Sequence, residues 1–491
     1  MSDTISTRPS NEMYSRARFQ DQVVNPTTAH AGHTGPRGSS TLPTQSSPYS
    51  VSNATQQPPP KAPDTESSTP EDYQQAFEQI RNDFDLYAHE TGFQDFWKTV
   101  YPRQAQLVLA YTVTAFASLG CPVASLGLGE ALPSIQHLPK HKPLIKQLYN
   151  ILADAGLVTY VGNSYIRTDK AVDSTGTNVL LRNILRDFPK HANEHRLLSI
   201  TGSKLAACLS GSCDPLQLLF RAKVDRDLLA DVYANGPMYK AISKLLGSFL
   251  QKTYDGSQKT VQLLEIGAGT GGTTKYIVSF LEQHGIRFHY TFSDVSGSLV
   301  HAARRHFGGR DNMEFVTLDI EKALPERHLK KYDTVISTNC IHATRNLTKS
   351  LSNIRELLAE NGFVSLVEFT RNMFWFDLVF GLLEGWWLFE DGRTHVLADT
   401  DFWEKSLKDA GYSGVGFSGG DSEEAQTLRI ISGFTPQPQM KPISTSPARS
   451  VKFQIETVVW KIAGSKPLYA DIYIPPAKTH EKRPVGESIA P

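Results

Sequence analysis

Apolar residues are sparse over the first 67 positions, recur at helical spacing from Thr69 to about residue 255, and then alternate between short continuous runs and helical stretches as far as Phe434. The first segment is dominated by Ser, Thr, Pro, Gln, Asn and Gly, with PPPKAP at 58–63. It cannot bury enough surface to offset chain entropy, so residues 1–67 are expected to be a disordered linker. In TPEDYQQAFEQIRNDFDLYAHETGF, Pro70 and two acids open a helix, and Phe77, Ile80, Phe84 and Tyr87 follow on one face. The pattern resumes in FQDFWKTVYPRQAQLVLAYTVTAFASLG.

The run from Gln104 to Leu128 carries no charge, but Gln106, Thr112, Thr114 and Ser118 interrupt it and Gly120, Cys121 and Pro122 break it. That leaves fewer than the ~20 apolar residues a bilayer span requires, so a buried helix is expected and no membrane contact. Lys142 to Thr168 reads as a helix, PLIKQLYNILADAGL, followed by VTYV and SYIR around Gly162 and Asn163. Helix plus hairpin is a winged-helix-like element, but its helix has few basic residues, which points to a lid or dimerisation scaffold and not to DNA. Further helices fill 171–255, with YANGPMY at 233–239 reading as a loop. HANEH at 191–195 sets His191 and His195 four apart, yet offers no third ligand, so both are expected on a solvated surface and no metal is expected.

From Gln258 onward, strands are placed at 261–266, 289–293, 314–318, 332–337 and 362–367, with helices at about 272–284, 298–307 and 347–360. Sustained alternation implies an α/β fold with a parallel, doubly wound sheet. GYSGVGFSGG and QTLRIISGF then read as a terminal hairpin inserted into that sheet, which favours the Rossmann-like methyltransferase architecture over the dehydrogenase one. The expected organisation is a linker (1–67), a helical N-terminal lid or substrate domain (68–255), a Rossmann-like domain (256–436), a second linker (437–450) and the start of a following domain (451–491). FQIETVVWKIAGSKPLYADIYIPP at 453–476 is a hairpin too short to fold alone and resembles the opening strands of an α/β-hydrolase-like thioesterase.

Composition narrows the partners. The 491 residues, 40% of them hydrophobic, can support two or three cores. Lys plus Arg equals Asp plus Glu at 50 each, so no net field attracts a nucleic acid. Cys121, Cys208, Cys213 and Cys340 form no CxxC, which suits a reducing compartment, and MSDTISTRPSNEM lacks the apolar core of a signal peptide. A cytoplasmic location is expected.

The chemistry centres on VQLLEIGAGTGGTTK at 261–275, a strand, a glycine turn and a helix N-terminus. Gly267 and Gly269 allow positive φ and close approach of a ligand to the backbone. With Gly272 they also satisfy the GxGxxG of NAD-binding folds, so the loop alone leaves the nucleotide open. The neighbouring acids decide. Glu265, at the strand's end, suits a cationic amino-acid group or sugar hydroxyl better than a pyrophosphate. Asp294, ending TFSDVS, is placed to accept from ribose hydroxyls, and Asp319, ending VTLDIE, to reach an adenine amino group, with helix capping the competing role for either. An adenosine without phosphates is implied, S-adenosylmethionine, with S-adenosylhomocysteine as product.

On the acceptor side, YDTVISTNCIHAT sets Asn339, Cys340 and His342 at the carboxyl edge of the sheet, and VSLVEFT sets Glu368 at the same edge. Adjacent strands would bring His342 and Glu368 together as a base and its orienting carboxylate. A methyl moves from a sulfonium without a covalent enzyme intermediate, so Cys340 is not needed as a nucleophile. Tyr233 and Asn235 are candidates to touch acceptor or cofactor. Trp386 and Trp387 are candidates for the pocket wall, with packing beside Phe389 and Leu383 the competing role.

The sequence resembles the C-methyltransferase domain of fungal non-reducing iterative polyketide synthases. The resemblance rests on LLEIGAGTGGTT at 263–274, STNCIHAT at 337–344, FDLYAHETGFQDFWKTVYPRQ at 84–104, YANGPMY, and above all FTRNMFWFDLVFGLLEGWWLFEDGR at 369–393, and covers about 69–436. It implies S-adenosylmethionine as donor and, as acceptor, a β-ketoacyl chain held as a thioester on the phosphopantetheine arm of an acyl carrier protein. It maps the family's histidine–glutamate pair to His342 and Glu368, and Asn339 joins the cofactor set with Glu265, Gly267, Gly269, Asp294 and Asp319. The linker would follow a carrier domain, and other synthase domains would be partners. The competing readings are a small-molecule O-methyltransferase, a non-catalytic scaffold and, more distantly, an NAD oxidoreductase. Replacing Glu368 by Gln is expected to be milder than losing His342, because an amide can still orient the ring.

Overall fold

The computed structural model describes residues 69–436, 454–463 and 466–474. The expected linkers, 1–67 and 437–450, lie outside them, and Thr69 is the first described residue, where the chain enters its first helix. Thr69 caps α1 (Pro70–Ile80) in a capping box: its hydroxyl accepts from the Asp72 N–H, and the Asp72 carboxylate accepts from the Thr69 N–H at 2.8 Å. The helices α2 (Phe84–Thr91), α3 (Tyr101–Ser118) and α4 (Lys142–Asp154) follow, then the antiparallel hairpin of β1 (Val158–Val161) and β2 (Ser164–Arg167). The winged-helix-like element is therefore present. The uncharged run lies in α3 as far as Ser118, and that helix buries Gln104, Leu107, Val108, Tyr111, Thr112, Ala115 and Phe116. Among the described residues no helix is long and apolar enough to cross a membrane.

Six more helices complete this region: α5 (Thr177–Asp187), α6 (Ala192–Gly202), α7 (Leu205–Ser210), α8 (Pro215–Phe220), α9 (Lys223–Asn235) and α10 (Pro237–Tyr254). Two expectations change here. YANGPMY is not a loop but a sharp break between α9 and α10: Pro237 starts the new helix and holds Gly236 extended, at ψ 137°. His191 and His195 are not on the surface but buried, at 4% and 0% exposure. His191 Nδ1 lies 3.0 Å from Glu194 Oε2, and His195 Nε2 lies 3.3 Å from Gln104 of α3, because this face of α6 is turned into the bundle. Among the described residues no cluster of side chains could hold a metal ion.

The sheet contains β3 (Val261–Ile266), β4 (Phe288–Asp294), β5 (Met313–Thr317), β6 (Tyr332–Thr338), β7 (Leu358–Phe369), β8 (Gly414–Phe417) and β9 (Leu428–Phe434), with α11 (Gly272–Gln283), α12 (Gly297–Phe307), α13 (Leu347–Leu357), α14 (Phe374–Val379) and α15 (Thr400–Asp409) between them. Its order is β5-β4-β3-β6-β7-β9-β8. The first five strands in that row are parallel, and β9 enters antiparallel between β7 and β8, as the terminal hairpin predicts. One boundary moved: α13 stops at Leu357 and β7 starts at Leu358, ahead of the expected strand, with a register shift against β6 between Tyr332 and Thr334. Gly362 sits in that irregularity, where a Cβ would meet the Tyr332 carbonyl oxygen at 2.8 Å.

Side-chain alternation splits the core into two faces. Leu264 and Ile266 pack with Leu351, Ile354, Trp403 and Leu407 of α13 and α15. Leu263, one residue over, packs in a second core with Ile277, Leu281, Leu245 and Phe249, which runs on through Phe77 and Leu107. The helical region and the sheet thus share one core. Glu265 points to that second face. In the separate C-terminal unit, β10 (Gln454–Ala463) and β11 (Lys466–Ile474) pair as an antiparallel hairpin with an irregularity between Val459 and Lys461.

Candidate active site

Three parallel neighbours, β3, β6 and β7, end side by side, and their carboxyl ends carry the glycine loop, the segment 339–344 and Glu368. Asn339 turns the chain off β6 with φ 49°, a left-handed conformation that asparagine tolerates better than most residues. The 3₁₀ turn Ile341–Ala343 then presents His342. His342 Nδ1 lies 2.6 Å from Glu368 Oε2. The other oxygen of that carboxylate accepts from the backbone N–H groups of Cys340 (3.2 Å), Ile341 (2.8 Å) and His342 (3.3 Å). Because a carboxylate accepts and does not donate, the network puts the imidazole proton on Nδ1 and leaves the Nε2 lone pair free. Arg393 braces the turn from outside, donating to the carbonyls of His342 and Thr344 at 2.8 Å each while Asp391 holds its Nε.

Opposite His342, the chain leaves β3 through Gly267 at φ 65°, where any Cβ would overlap Cys340 Sγ. Glycine is required there twice over, by backbone and by contact. Glu265 is buried: its carboxylate accepts from Thr274 of α11 and, at 2.7 Å, from the Tyr290 hydroxyl of β4. Burial pushes its carboxyl up to about 7 against those two hydrogen bonds, which pull it down. The glycine loop, Glu265, Thr338, Asn339, Cys340 and His342 all line one cavity of about 1400 Å³. On its wall, both polar atoms of the Asn339 amide and the Thr338 hydroxyl are buried without a partner. Orphaned groups beside a glycine cradle and an acid fit a ligand that carries hydroxyl, amino and carboxylate groups.

A model of the family described as "Methyltransferase, Helix-turn-helix domain" matches residues 78–165, and one described as "Methyltransferase domain" matches 264–364. The non-reducing polyketide synthase pkbA of Emericella nidulans is 55% identical over 429 residues, covering 87% of this chain and 17% of its own length. 5-Methylorsellinic acid synthase of Aspergillus terreus is 47% identical over 424 residues, with 84% and 16% covered. The chain therefore spans about a sixth of these relatives. Among solved structures, the CMeT domain of the citrinin polyketide synthase is 36% identical with a TM-score of 0.72, and the match covers 75% of this chain and 98% of that one. The chain belongs to the polyketide synthase carbon-methyltransferase domains. The carbon methyltransferase CurJ, 26% identical with a TM-score of 0.65, matches over 100% of its length and 75% of this chain.

Within this carbon methyltransferase of S-adenosylmethionine-dependent fold, the other expected residues divide. The Asp294 carboxylate is buried and accepts from Gly269 N (2.9 Å) and Ser296 N (2.8 Å), and its neighbour Val295 lines the cavity. It braces the glycine loop from behind. Asp319 does line the cavity, with Oδ1 accepting from Glu321 N at 3.0 Å and Oδ2 3.1 Å from Lys322 Nζ. Tyr233 also lines it, 37% exposed, its ring 5.2 Å from Tyr239. Asn235 lies on the same wall and donates to Asp231 at 2.6 Å. Trp386 lines the cavity 5.8 Å from the His342 ring, edge to face, whereas Trp387 donates to the Gly381 carbonyl at 2.8 Å in the packing behind it.

Sequence reasoning missed Asp377, His395 and Arg393. A signal for Asp377 existed: a single acid within FWFDLVF is affordable in a core only if several donors meet it.

Proposed function

We propose that the domain methylates the α-carbon of a β-ketoacyl thioester, presented on the phosphopantetheine arm of an acyl carrier protein, during polyketide assembly. The observation that carries this reading is the 2.6 Å contact of His342 Nδ1 with Glu368, which frees Nε2 as a base on the wall of the cavity. Glu265, Gly267, Gly269, Asp294, Asp319 and Asn339 would hold S-adenosylmethionine, and Asp294 would also support the loop. When bound, the cofactor supplies an electrophilic methyl.

The chain's own residues do the rest. A carbon flanked by ketone and thioester is acidic enough for a positioned imidazole. His342 Nε2 takes that proton, and the Glu368 carboxylate stabilises the imidazolium that results. The electron pair left on the α-carbon would form the new carbon–carbon bond to that methyl as the methyl–sulfur bond breaks, its electrons staying on sulfur in the departing thioether. Tyr233, Asn235 and Trp386 would hold the acceptor and exclude water; holding two reactants in line is worth up to about 7–11 kcal/mol in well-oriented systems.

The relatives are named as polyketide synthases and the chain spans about 17% of one, which supports carrier and releasing domains as partners. On this reading residues 1–67 and 437–450 are linkers, 68–255 the lid, 256–436 the transferase, and 451–491 opens a thioesterase-like neighbour. The test is incubation with S-adenosylmethionine and an acetoacetyl thioester of pantetheine, followed by mass spectrometry. The α-methyl product is expected; methylation of phenols alone would make it an O-methyltransferase instead, and no transfer at all a scaffold.

A further inference from the structure

Asp377 is fully buried on α14 and touches no part of the His342–Glu368 pair, yet four side chains converge on its carboxylate. Oδ2 accepts from Gln147 of α4 at 3.1 Å and from Asn372 at 2.9 Å. Oδ1 accepts from His395 Nε2 at 2.8 Å and from the Trp386 indole N–H at 3.3 Å. His395 Nδ1 in turn accepts from the Leu397 N–H at 3.1 Å. A ring nitrogen that accepts carries no proton, so His395 is neutral with its proton on Nε2, and the cluster keeps the one negative charge of Asp377. Such a charge is tolerated in a core only because every donor around it is aimed at it.

The arrangement has a direction. Trp386, held at its indole N–H, stands between two imidazoles, 5.8 Å from His342 at 74° and 6.2 Å from His395 at 83°. His342 is tied at Nδ1 by Glu368, which leaves its tilt to whatever packs on the ring, and that is Trp386. Gln147 belongs to the helix of the winged-helix-like element, so the same carboxylate joins the lid to the wall beside the base.

We propose that Asp377 is a positioning residue: through Trp386 it sets the tilt of the His342 ring, and through Gln147 it makes that tilt depend on a seated lid. The inference rests on the reading of His342 as the base, but its test does not need turnover to succeed. Asp377→Asn keeps the shape and turns an NH₂ toward one pair of donors, which must then move away. Trp386→Phe keeps a ring and the Asp377 charge but loses the tether.

Histidine ring resonances of 13C-labelled protein, with His342 assigned by its loss in His342→Ala, read the position directly. Both variants should shift the His342 resonance, while resonances of His284 and His301 stay in place. Turnover should fall by about 10–100-fold in kcat, the loss typical when the partner that orients a metal-bound histidine is removed, with KM for S-adenosylmethionine little changed. Asp377→Asn added to Trp386→Phe should cost less than the two losses combined, since both cut one path. His395→Gln, which can still donate to Oδ1, should restore most of what His395→Ala loses, and serves if Asp377→Asn does not fold. An unmoved His342 resonance in Trp386→Phe would overturn the proposal, as would strictly additive losses. Wild type that yields no α-methyl product would sink the functional reading, while the resonance shifts would still decide the positioning role.

Discussion

His342 and the carboxylate of Glu368 are joined twice, by the ring at Nδ1, 2.6 Å from Oε2, and by the His342 backbone N–H, which donates to Oε1 at 3.3 Å. Replacing His342 by Ala removes the base and should lower turnover by about 10²–10⁴-fold, the usual worth of general-base catalysis. Affinity for S-adenosylmethionine should stay near wild type, because Nε2 serves the acceptor. Calorimetric titration beside a turnover assay separates the two, and loss of cofactor binding would remove His342 from the role of base.

The same geometry revises the expectation for Glu368→Gln. Three N–H groups converge on Oε1, so an amide would place its oxygen there and its NH₂ against His342 Nδ1. That NH₂ can only donate, which drives the imidazole proton to Nε2, where it disables the base. The loss should approach the roughly 10⁴-fold known for a wrong histidine tautomer in a triad, so it should not be mild. A kcat close to wild type in this variant would mean that the amide sits the other way round.

Cys340 touches the point where Gly267 turns, and that contact separates packing from chemistry. Cys340→Ala should keep turnover near wild type, since no covalent intermediate is required. Gly267→Ala should weaken cofactor binding at least tenfold, from left-handed strain of roughly 1–2 kcal/mol plus overlap with the sulfur. The double variant should recover part of it. Dissociation constants of the three variants check this.

Glu265 gives cofactor affinity a pH dependence. Burial holds its carboxyl at about 7, above the ordinary 4.5, so it is largely ionised only above that value. A ligand that presents a cation or hydroxyl donors favours the ionised form. Affinity should therefore be full at pH 8 and fall as pH drops below 7, by up to about tenfold per unit. Glu265→Gln should flatten that profile, and a wild-type profile equally flat from pH 8 to 6 would remove Glu265 from contact with the ligand's charge.

His195 does the opposite service for stability. Burial pulls it from 6.5 down to about 4, with the neighbouring Glu194 opposing, and burial first of all lowers His141 to about 4 as well. Each is neutral in the fold and readily charged once unfolded, so stability is full above pH 6.5 and declines as pH falls toward 4. For His195 the loss amounts to roughly 3 kcal/mol at the acid end. Urea midpoints between pH 7 and 4.5 should show it, with a shallower decline in His195→Gln.

The strands were legible because parallel strands buried on both faces are continuous apolar runs, and strand ends in such a sheet face one edge; that suffices to bring His342 and Glu368 together on paper. The partners of buried acids were not legible. Glu265 finds Tyr290 on the next strand, and Asp377 finds Gln147 on a helix 230 residues away, relations that no local pattern encodes. HANEH misled for the same reason: polar residues at i and i+4 say solvent unless a Gln104 is known to wait across the bundle.

Glu368 closes the 3₁₀ turn that carries His342, much as a side chain caps a helix, so the acid is needed for the loop to exist whether or not anything is methylated. A relative that had given up catalysis could discard the imidazole freely, but discarding the glutamate would unravel the rim of its cavity. When such domains are sorted into active and inactive by sequence, the glutamate reports an intact fold and the histidine reports a working one.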